Sequence, residues 1–516
     1  MPGRGLASDS PIGVIGAGTM GSGIALVALS AWRPVVLVDP IESARARAQE
    51  YLHRHLSKPG KTAALDRLTL AADLEALSGC GLVIEAAPEN LDLKRDLFRR
   101  LESICPPPAL LATNTSTLSI GGIASATSTP ERVGGLHFFN PAALMPLVEV
   151  AAGEQTSEAT LATLVAVVKE FGKTPVVARD TPGFIVNRVA RPFYGEALRL
   201  LAEGIATVDQ IDRVVEMAGG FRMGPFRLMD LIGLDVNLAA TRSIYEQTFG
   251  EPRYRPHPIQ ARLVEQGRLG RKSGAGFYNY SAGDPPLDRE APAGERGAGL
   301  LVLSEGTWAS GIAEEMLRAG FTLHEAHGSA PVAGIVAAGT DERLREHVYR
   351  LDRALPPSVP LLVQAADATL SEIHTWCTHP ERVIGFDGLF FVGSRAATLV
   401  AAERCSPEVR RAIEALMNTC GRRAEWIRDG AGLILPRLVA ALVNEAAFAL
   451  MEATADEPTI DLAMRLGANY PAGPLEWGRR LGWSRVVRVM DHLHAELGED
   501  RYRAAPILRR WARGSP

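Results

Sequence analysis

The sequence predicts an α/β fold: a doubly wound parallel sheet, then an all-α domain, then a degenerate, shortened repeat of both. Three observations predict it. The first forty residues read as strand, glycine-rich turn, helix and strand; from about Thr181 the texture changes to long helices; and after a polar linker the sequence begins again.

The first strand is the apolar run Ile12–Ile15, and the glycine-rich turn that follows opens a segment of helical composition, Ser22–Ser30. Val35–Val38 is a β-branched run ending at Asp39. Together these make the opening of a doubly wound sheet. Further strands are predicted at Leu82–Ala86, Leu110–Thr113 and Val133–Phe138, and Leu97, Phe98, Leu101 and Ile104 recur at helical spacing between them. Ser281–Gly299 is rich in Gly, Pro and charge and reads as a linker. With 516 residues the chain exceeds one core. The boundaries read as a sheet domain over 10–180, a helical domain over 181–281, the linker over 282–299, a reduced sheet domain over 300–428 and a second helical domain over 429–516.

The repeat is carried by fixed offsets. Gly306–Ala313 matches Gly18–Ala25 at six of eight positions, and Pro380–Val383 repeats Pro130–Val133. Arg428, Asp429, Gly432, Arg437, Glu445, Glu452, Gly473 and Pro474 all lie 249 residues after identical residues. Chance does not hold one offset over such a length. The offset is 288 at the glycine turn and 250 at Pro-Glu-Arg-Val, so the second sheet domain is the shorter one.

Composition narrows the class. Hydrophobic residues at 47 % and charged residues at 22 % suit a soluble globular chain. A net charge of −4 leaves no polybasic footprint for nucleic acid or an anionic membrane. Leu433–Leu450 is broken by Pro436, Arg437, Asn444 and Glu445, so no membrane span is read. The five cysteines fall in no paired or metal-ligand spacing, and residues 1–10 have no apolar core of a signal peptide. The expectation is a cytoplasmic protein without a metal site.

Gly16-Ala17-Gly18-Thr19-Met20-Gly21 fits G-x-G-x-x-G after a strand and before a helix. Gly16 permits the tight turn, Gly18 lets backbone approach a pyrophosphate, and Gly21 lets helix and strand pack closely. The first domain is therefore read as a Rossmann dinucleotide-binding domain. Asp39 would accept the ribose hydroxyls and repel a 2′-phosphate, which favours NAD over NADP; the competing reading is a sheet turn with a capping Asp.

Polar residues then interrupt apolar ground: Ser116 after Thr113-Asn114-Thr115, His137 in Leu136-His137-Phe138, Asn140, and Glu149 in Leu147-Val148-Glu149-Val150. A carboxylate that takes the proton of one imidazole nitrogen leaves the other free as a base. Taken singly, His137 suits a structural histidine and Glu149 a strand-edge carboxylate. Together with Ser116 and a cofactor fold they point to chemistry.

Six segments carry a family resemblance: Thr113–Ser119, His137–Pro141, Leu147–Val150, Pro182–Arg188, Gly224–Phe226 and Lys272–Tyr278. Ordered and collinear from Ile12 to about Tyr280, they resemble the 3-hydroxyacyl-CoA dehydrogenases, and the two-copy length resembles the longer bacterial members that act on 3-hydroxybutyryl-CoA or 3-hydroxyadipyl-CoA. The resemblance implies NAD-dependent oxidation of an acyl-CoA thioester. It makes His137 the general base with Glu149 its partner, and Ser116 and Asn187 hydrogen bond the reacting oxygen or the thioester carbonyl. It places Asn114, Asn140, Glu89, Lys94 and Lys272 near the cofactor, although Glu89 and Lys94 equally suit a solvated helix start and Lys272 a surface loop. Lys58 and Lys61 are candidate contacts to CoA phosphate, or a solvated turn. Arg188, Arg191 and Arg222 are unranked cations for a distal substrate carboxylate. The helical domains are where a homodimer would form.

In the repeat, Ser116 is set against Ala368, His137 against Asp387, Glu149 against Ala401, Asn187 against Pro436, Gly16 against Ser304 and Gly21 against Ala309. No NAD and no turnover are expected there. Two competing functions stand beside the main one. A dehydrogenase of a free hydroxy acid commonly needs a catalytic lysine in the helical domain, and a non-catalytic NAD-binding protein would have an incomplete catalytic set.

Overall fold

A parallel strand covered on both faces has no polar side to alternate with, which is why the short strands here read as unbroken apolar runs. The computed structural model describes residues 6–7, 9–57, 62–294, 297, 299–304, 311–324, 331–337 and 341–514. Its first sheet contains β1 (Ile12–Ile15), β2 (Val35–Val38), β3 (Leu68–Ala71), β4 (Leu82–Glu85), β5 (Leu110–Thr113), β6 (Val133–Phe138), β7 (Leu147–Ala152) and β8 (Thr174–Arg179). They hydrogen bond in the order β3-β2-β1-β4-β5-β6-β7-β8. Strands β1 to β6 run parallel, and β7 turns back antiparallel to β6. Chain order reverses between β1 and β4, so the crevice at their carboxyl ends is where such a sheet takes a ligand.

Helices α1 (Thr19–Ser30), α2 (Glu42–Leu56), α3 (Leu91–Ile104), α4 (Ile120–Ala124) and α5 (Glu158–Glu170) flank the sheet. The apolar layer between α1, α2, α5 and the strands includes Ile12, Ile24, Leu37, Leu52 and Leu164, all buried. Helix α1 begins three residues before the predicted Ser22, inside the glycine motif itself. Strand β3 escaped the sequence reading because it is short and only half-buried at a sheet edge.

The chain divides into two compact units, Met1–Val189 with Glu246–Thr248 and Ala449–Asn469, and Ala190–Tyr245 with Phe249–Phe448 and Tyr470–Pro516. The first unit holds the sheet just described and α6 (Val186–Val189). It also takes in a piece of the repeat. Arg188, buried, pairs with Glu452 at 2.8 Å and donates to the Thr454 hydroxyl at 3.1 Å.

The second unit holds the helices α7 (Arg191–Ala202), α8 (Val208–Met217), α9 (Pro225–Ile232) and most of α10 (Leu234–Gln247), and the repeat's sheet. That sheet comprises β9 (Leu300–Leu303), β10 (Thr322–His324), β11 (Ala333–Val336), β12 (Leu361–Gln364), β13 (Val383–Phe386), β14 (Ala396–Ala401) and β15 (Arg423–Ile427). Its order, β10-β9-β11-β12-β13-β14-β15, is that of the first sheet with the counterpart of β3 missing among the described residues.

The helical repeats differ where proline intervenes. Pro192 sits in the first turn of α7 and separates it from α6, whereas the repeat has Ala441 there and runs as one helix over Leu435–Met451. Arg437, fully buried in that helix, pairs with Glu196 at 2.8 Å and Glu203 at 2.7 Å and donates to the Tyr502 hydroxyl at 2.7 Å. Arg437 and Glu203 are the duplicates of Arg188 and Glu452, so the two ion pairs are reciprocal. Among the described residues no helix is long and apolar enough to cross a membrane.

Candidate active site

The glycine motif forms the turn its spacing requires. Gly16 has φ of +95°, and a Cβ there would meet the Ala86 carbonyl at 2.7 Å. A Cβ on Gly21 would lie 1.7 Å from the Gly16 carbonyl, whereas one on Gly18 would meet nothing within 4 Å. The turn is closed at its two ends and open in the middle. Gly18 and Thr19 are exposed, and the N–H groups of Thr19 and Met20 that begin α1 have no partner among the described residues. Asp39, at the end of β2, accepts the Ala17 N–H at 2.8 Å and the Ile41 N–H at 2.9 Å. It braces the turn.

His137 ends up beside Glu149 through strand register. Antiparallel pairing of β6 and β7 sets the two residues directly opposite, and His137 Nδ1 lies 2.6 Å from Glu149 Oε2. Glu149 is fully buried, and its other oxygen accepts the N–H groups of Ile185 and Val186, both at 2.9 Å. Those two amides open α6, where an acid is favoured by the helix dipole. They are presented by the left-handed backbone of Gly183 (φ +78°) and Phe184 (φ +46°). The Phe139 ring sits 4.5 Å from the imidazole and Phe184 at 6.0 Å. Among the described residues Nε2 has no hydrogen-bond partner, so the free nitrogen faces outward from a fixed ring.

Asn114 follows β5, and its side-chain oxygen accepts the Phe138 N–H at 2.9 Å, one residue from His137. That oxygen is taken up by the sheet. Ser116 is half-buried, with its N–H donating to Glu89 at 3.0 Å. Asn140 is exposed beyond β6, and Asn187 lies half-buried on α6. Lys94 is 1 % exposed, which removes the reading of a solvated helix start. Lys272 belongs to the second unit, half-exposed and paired with Asp235 at 2.6 Å. Lys58 and Lys61 lie outside the described residues. Arg188 and Arg191 are both buried, Arg191 donating to the Thr241 hydroxyl at 2.9 Å, so both are taken up inside the protein; Arg222 is exposed.

Two features were missed. The amides of Ile185 and Val186 leave no side-chain signal. Glu85 does: it is an acid closing an apolar strand, the same signal that singled out Glu149.

Register also corrects two assignments in the repeat. Phe386 pairs with Leu399, and Asp387 donates its N–H to the Thr398 carbonyl at 3.1 Å, so the counterpart of Glu149 is Thr398 rather than Ala401. Ser119 and Thr369 cap equivalent helices, so Ser116 corresponds to Ala366 rather than Ala368. The pair has become an acid facing a threonine. Burial pushes the Asp387 carboxyl up to about 7 against the N–H groups of Phe390 and Leu389. Ser304 is buried after β9, where the first copy has Gly16, and Ala309 lies outside the described residues.

The family model described as 3-hydroxyacyl-CoA dehydrogenase, NAD binding domain, matches residues 11–181, and the one for the C-terminal domain matches 183–280 and again 432–514. Over 510 residues the chain is 39 % identical to 3-hydroxyadipyl-CoA dehydrogenase of Escherichia coli K12, with 97 % of each chain covered. The chain belongs to the 3-hydroxyacyl-CoA dehydrogenase family. The crystal structure of 3-hydroxybutyryl-CoA dehydrogenase from Escherichia coli K12 superimposes with a TM-score of 0.81 at 36 % identity, covering 99 % of both. The single-copy 3-hydroxybutyryl-CoA dehydrogenase of Clostridioides difficile is 39 % identical over 279 residues, 52 % of this chain and 99 % of that one. The first copy carries His137, Glu149, Ser116 and Asn187 where the second has Asp387, Thr398, Ala366 and Pro436.

Proposed function

We infer that this chain oxidises the C3 hydroxyl of an (S)-3-hydroxyacyl-CoA to the ketone with NAD, using only its first copy. The observation that carries the reading is the His137–Glu149 pair, 2.6 Å apart and buried on one side, with Nε2 unpartnered among the described residues. The open turn at Gly18, the N-terminus of α1 and the Asp39 carboxylate fit a dinucleotide without a 2′-phosphate. Bound there, NAD supplies the acceptor for the hydride that leaves C3.

The chain supplies the rest. His137 Nε2 takes the hydroxyl proton, and Glu149 holds Nδ1 and offsets the charge that the ring acquires. Ser116 and Asn187 hold the reacting oxygen or the thioester carbonyl, so that the carbon is presented in one orientation. The substrate is short-chain 3-hydroxybutyryl-CoA or 3-hydroxyadipyl-CoA, as the relatives' names suggest for the class. Arg188 and Arg191 are taken up internally, which removes both as partners for a distal carboxylate.

The repeat serves packing, in place of the dimer contact that a single copy would make with a second molecule. Steady-state rates on 3-hydroxybutyryl-CoA, 3-hydroxyadipyl-CoA and the matching free acids, read as NADH absorbance, test the function. Turnover of the free acids at rates equal to the thioesters overturns it.

A further inference from the structure

A helix of the repeat packs beside the catalytic pair. The helix Glu457–Gly467 belongs to the first unit and lies against β7, β8 and α6. Its approach is tied down by Thr454, whose carbonyl accepts the Arg179 N–H at 2.9 Å and whose hydroxyl accepts from Arg188, on α6, at 3.1 Å. Its far end leaves no room. A Cβ on Gly467 would lie 2.7 Å from Leu147 Cδ2, 2.9 Å from Val186 Cγ2 and 3.5 Å from Phe139 Cζ. Each of these three residues bears on the pair by its own route. Leu147 stands two places before Glu149 on β7 and projects from the same face of the sheet. The Val186 N–H is one of the two that hold Glu149 Oε1, and the Phe139 ring lies 4.5 Å from the imidazole.

The duplication supplies the comparison. In the second unit α8 is the duplicate of this helix and packs against β14, the strand that carries Thr398. The tie is repeated as well, the Ile205 carbonyl accepting the Arg428 N–H at 2.9 Å. There, however, Ala218 stands where the repeat has Gly467, 249 residues further on. The helix end therefore has no need of glycine for itself. Gly467 is not in the left-handed region, and alanine suits a helix better than glycine does. Glycine stands in the helix that faces a histidine–glutamate pair, and alanine in the one that faces Asp387 and Thr398.

We propose that Gly467 is a positioning residue supplied by the repeat: by having no side chain it lets the helix close on Val186 and Leu147, and so fixes where α6 and β7 hold Glu149 and His137. This rests on the dehydrogenase reading above. A methyl group at 467 has nowhere to go. Val186 is β-branched and opens a helix, where one χ1 is strongly preferred, and Leu147 is fully buried. Ordinary contact begins at 3.4 Å, so α6 or its neighbour must give way by about 0.5 Å at Val186. Arg188 and Thr454 link the two segments, so such a shift reaches the amides under Glu149.

Gly467→Ala, Val186→Ala and the double Gly467→Ala/Val186→Ala test it, the last because removing Cγ2 gives the new methyl its space. Single-turnover NADH formation from saturating NAD and 3-hydroxybutyryl-CoA reports rate constant and amplitude separately, and fluorescence titration gives the Kd for NADH. A catalytic group displaced by about 1 Å costs roughly 100-fold in rate, so half that shift costs about tenfold. Gly467→Ala is expected to keep wild-type amplitude and an NADH Kd within about threefold, with the rate constant down about tenfold, and the double variant to return within about threefold of Val186→Ala. A wild-type rate constant in Gly467→Ala overturns the proposal, whatever the amplitude; a lowered amplitude at that rate constant means a purely structural role. So does a double variant that stays as slow as Gly467→Ala, or that fails to fold where Gly467→Ala fails, since either makes the clash one that Val186 does not relay. If the wild-type chain itself fails on the thioester, the dehydrogenase reading falls and takes this proposal with it; a working wild type with an unaffected Gly467→Ala sinks this proposal alone.

Discussion

Replacing Glu149 by glutamine changes one atom in the structure and reverses a proton. The carboxylate takes three donors: His137 Nδ1 at 2.6 Å and the Ile185 and Val186 amides at 2.9 Å each. A glutamine keeps its oxygen under the two amides, because turning its NH2 towards them would bury opposed donors at about 1–3 kcal/mol. Its NH2 then faces Nδ1, which must accept, and the ring proton moves to Nε2. The nitrogen aimed at the substrate becomes a donor and can no longer take the hydroxyl proton. General-base catalysis is worth about 10² to 10⁴ in rate, or about 3–5 kcal/mol of barrier. The expected result for Glu149→Gln is that loss in kcat, with NADH affinity within about threefold of wild type because no dinucleotide contact is altered. Initial rates on 3-hydroxybutyryl-CoA and a fluorescence titration measure the two quantities. A variant retaining more than about a tenth of wild-type kcat would refute the tautomer argument.

Other substitutions probe the turn, the repeat and the reciprocal ion pairs. Gly21→Ala drives a Cβ to 1.7 Å from the Gly16 carbonyl and is expected to lower Tm and abolish NADH binding, whereas Gly18→Ala meets no protein atom within 4 Å and should melt as wild type while binding NADH at least about tenfold more weakly. Asp387 is raised from 3.8 to about 7, so its stabilising contribution is complete below pH 4 and is lost as pH rises through 7. At about 1.36 kcal/mol for each pH unit between those two values, holding the carboxyl ionised costs roughly 4 kcal/mol. Asp387→Asn should therefore melt above wild type at about pH 8, with a smaller gap at about pH 5; an equal gap at both counts against a buried acid. Arg437→Met leaves Glu196 buried without its main cation, and urea unfolding should register a loss of about 3–5 kcal/mol with NADH affinity unchanged.

Local signals carried the sequence reading furthest. Strands at Leu110–Thr113 and Val133–Phe138 fall where apolar runs put them, because a doubly covered strand is apolar throughout. The glycine turn was legible because its spacing encodes backbone clashes that only glycine escapes. What depends on pairing between distant strands was not. Thr398 faces Asp387 through β-register, which a residue count from the first copy missed by three positions. Lys94 shows the same limit from another side. Asp92, Arg95 and Asp96 around it on α3 are charged and exposed or half-buried, so nothing local marks it as the enclosed charge of its helix. Glu85 was within reach, and the criterion applied to Glu149 would have found it.

The reciprocal arginines have a consequence beyond the strength of either pair. An interface between separate molecules loosens on dilution, because its stability depends on the concentration of both partners. Here both halves are joined by one backbone, so the effective concentration of each for the other is set by the connecting chain and not by expression level. The repeat has neither the histidine nor the first and last glycines of the turn, yet it still holds Arg437 and Glu452.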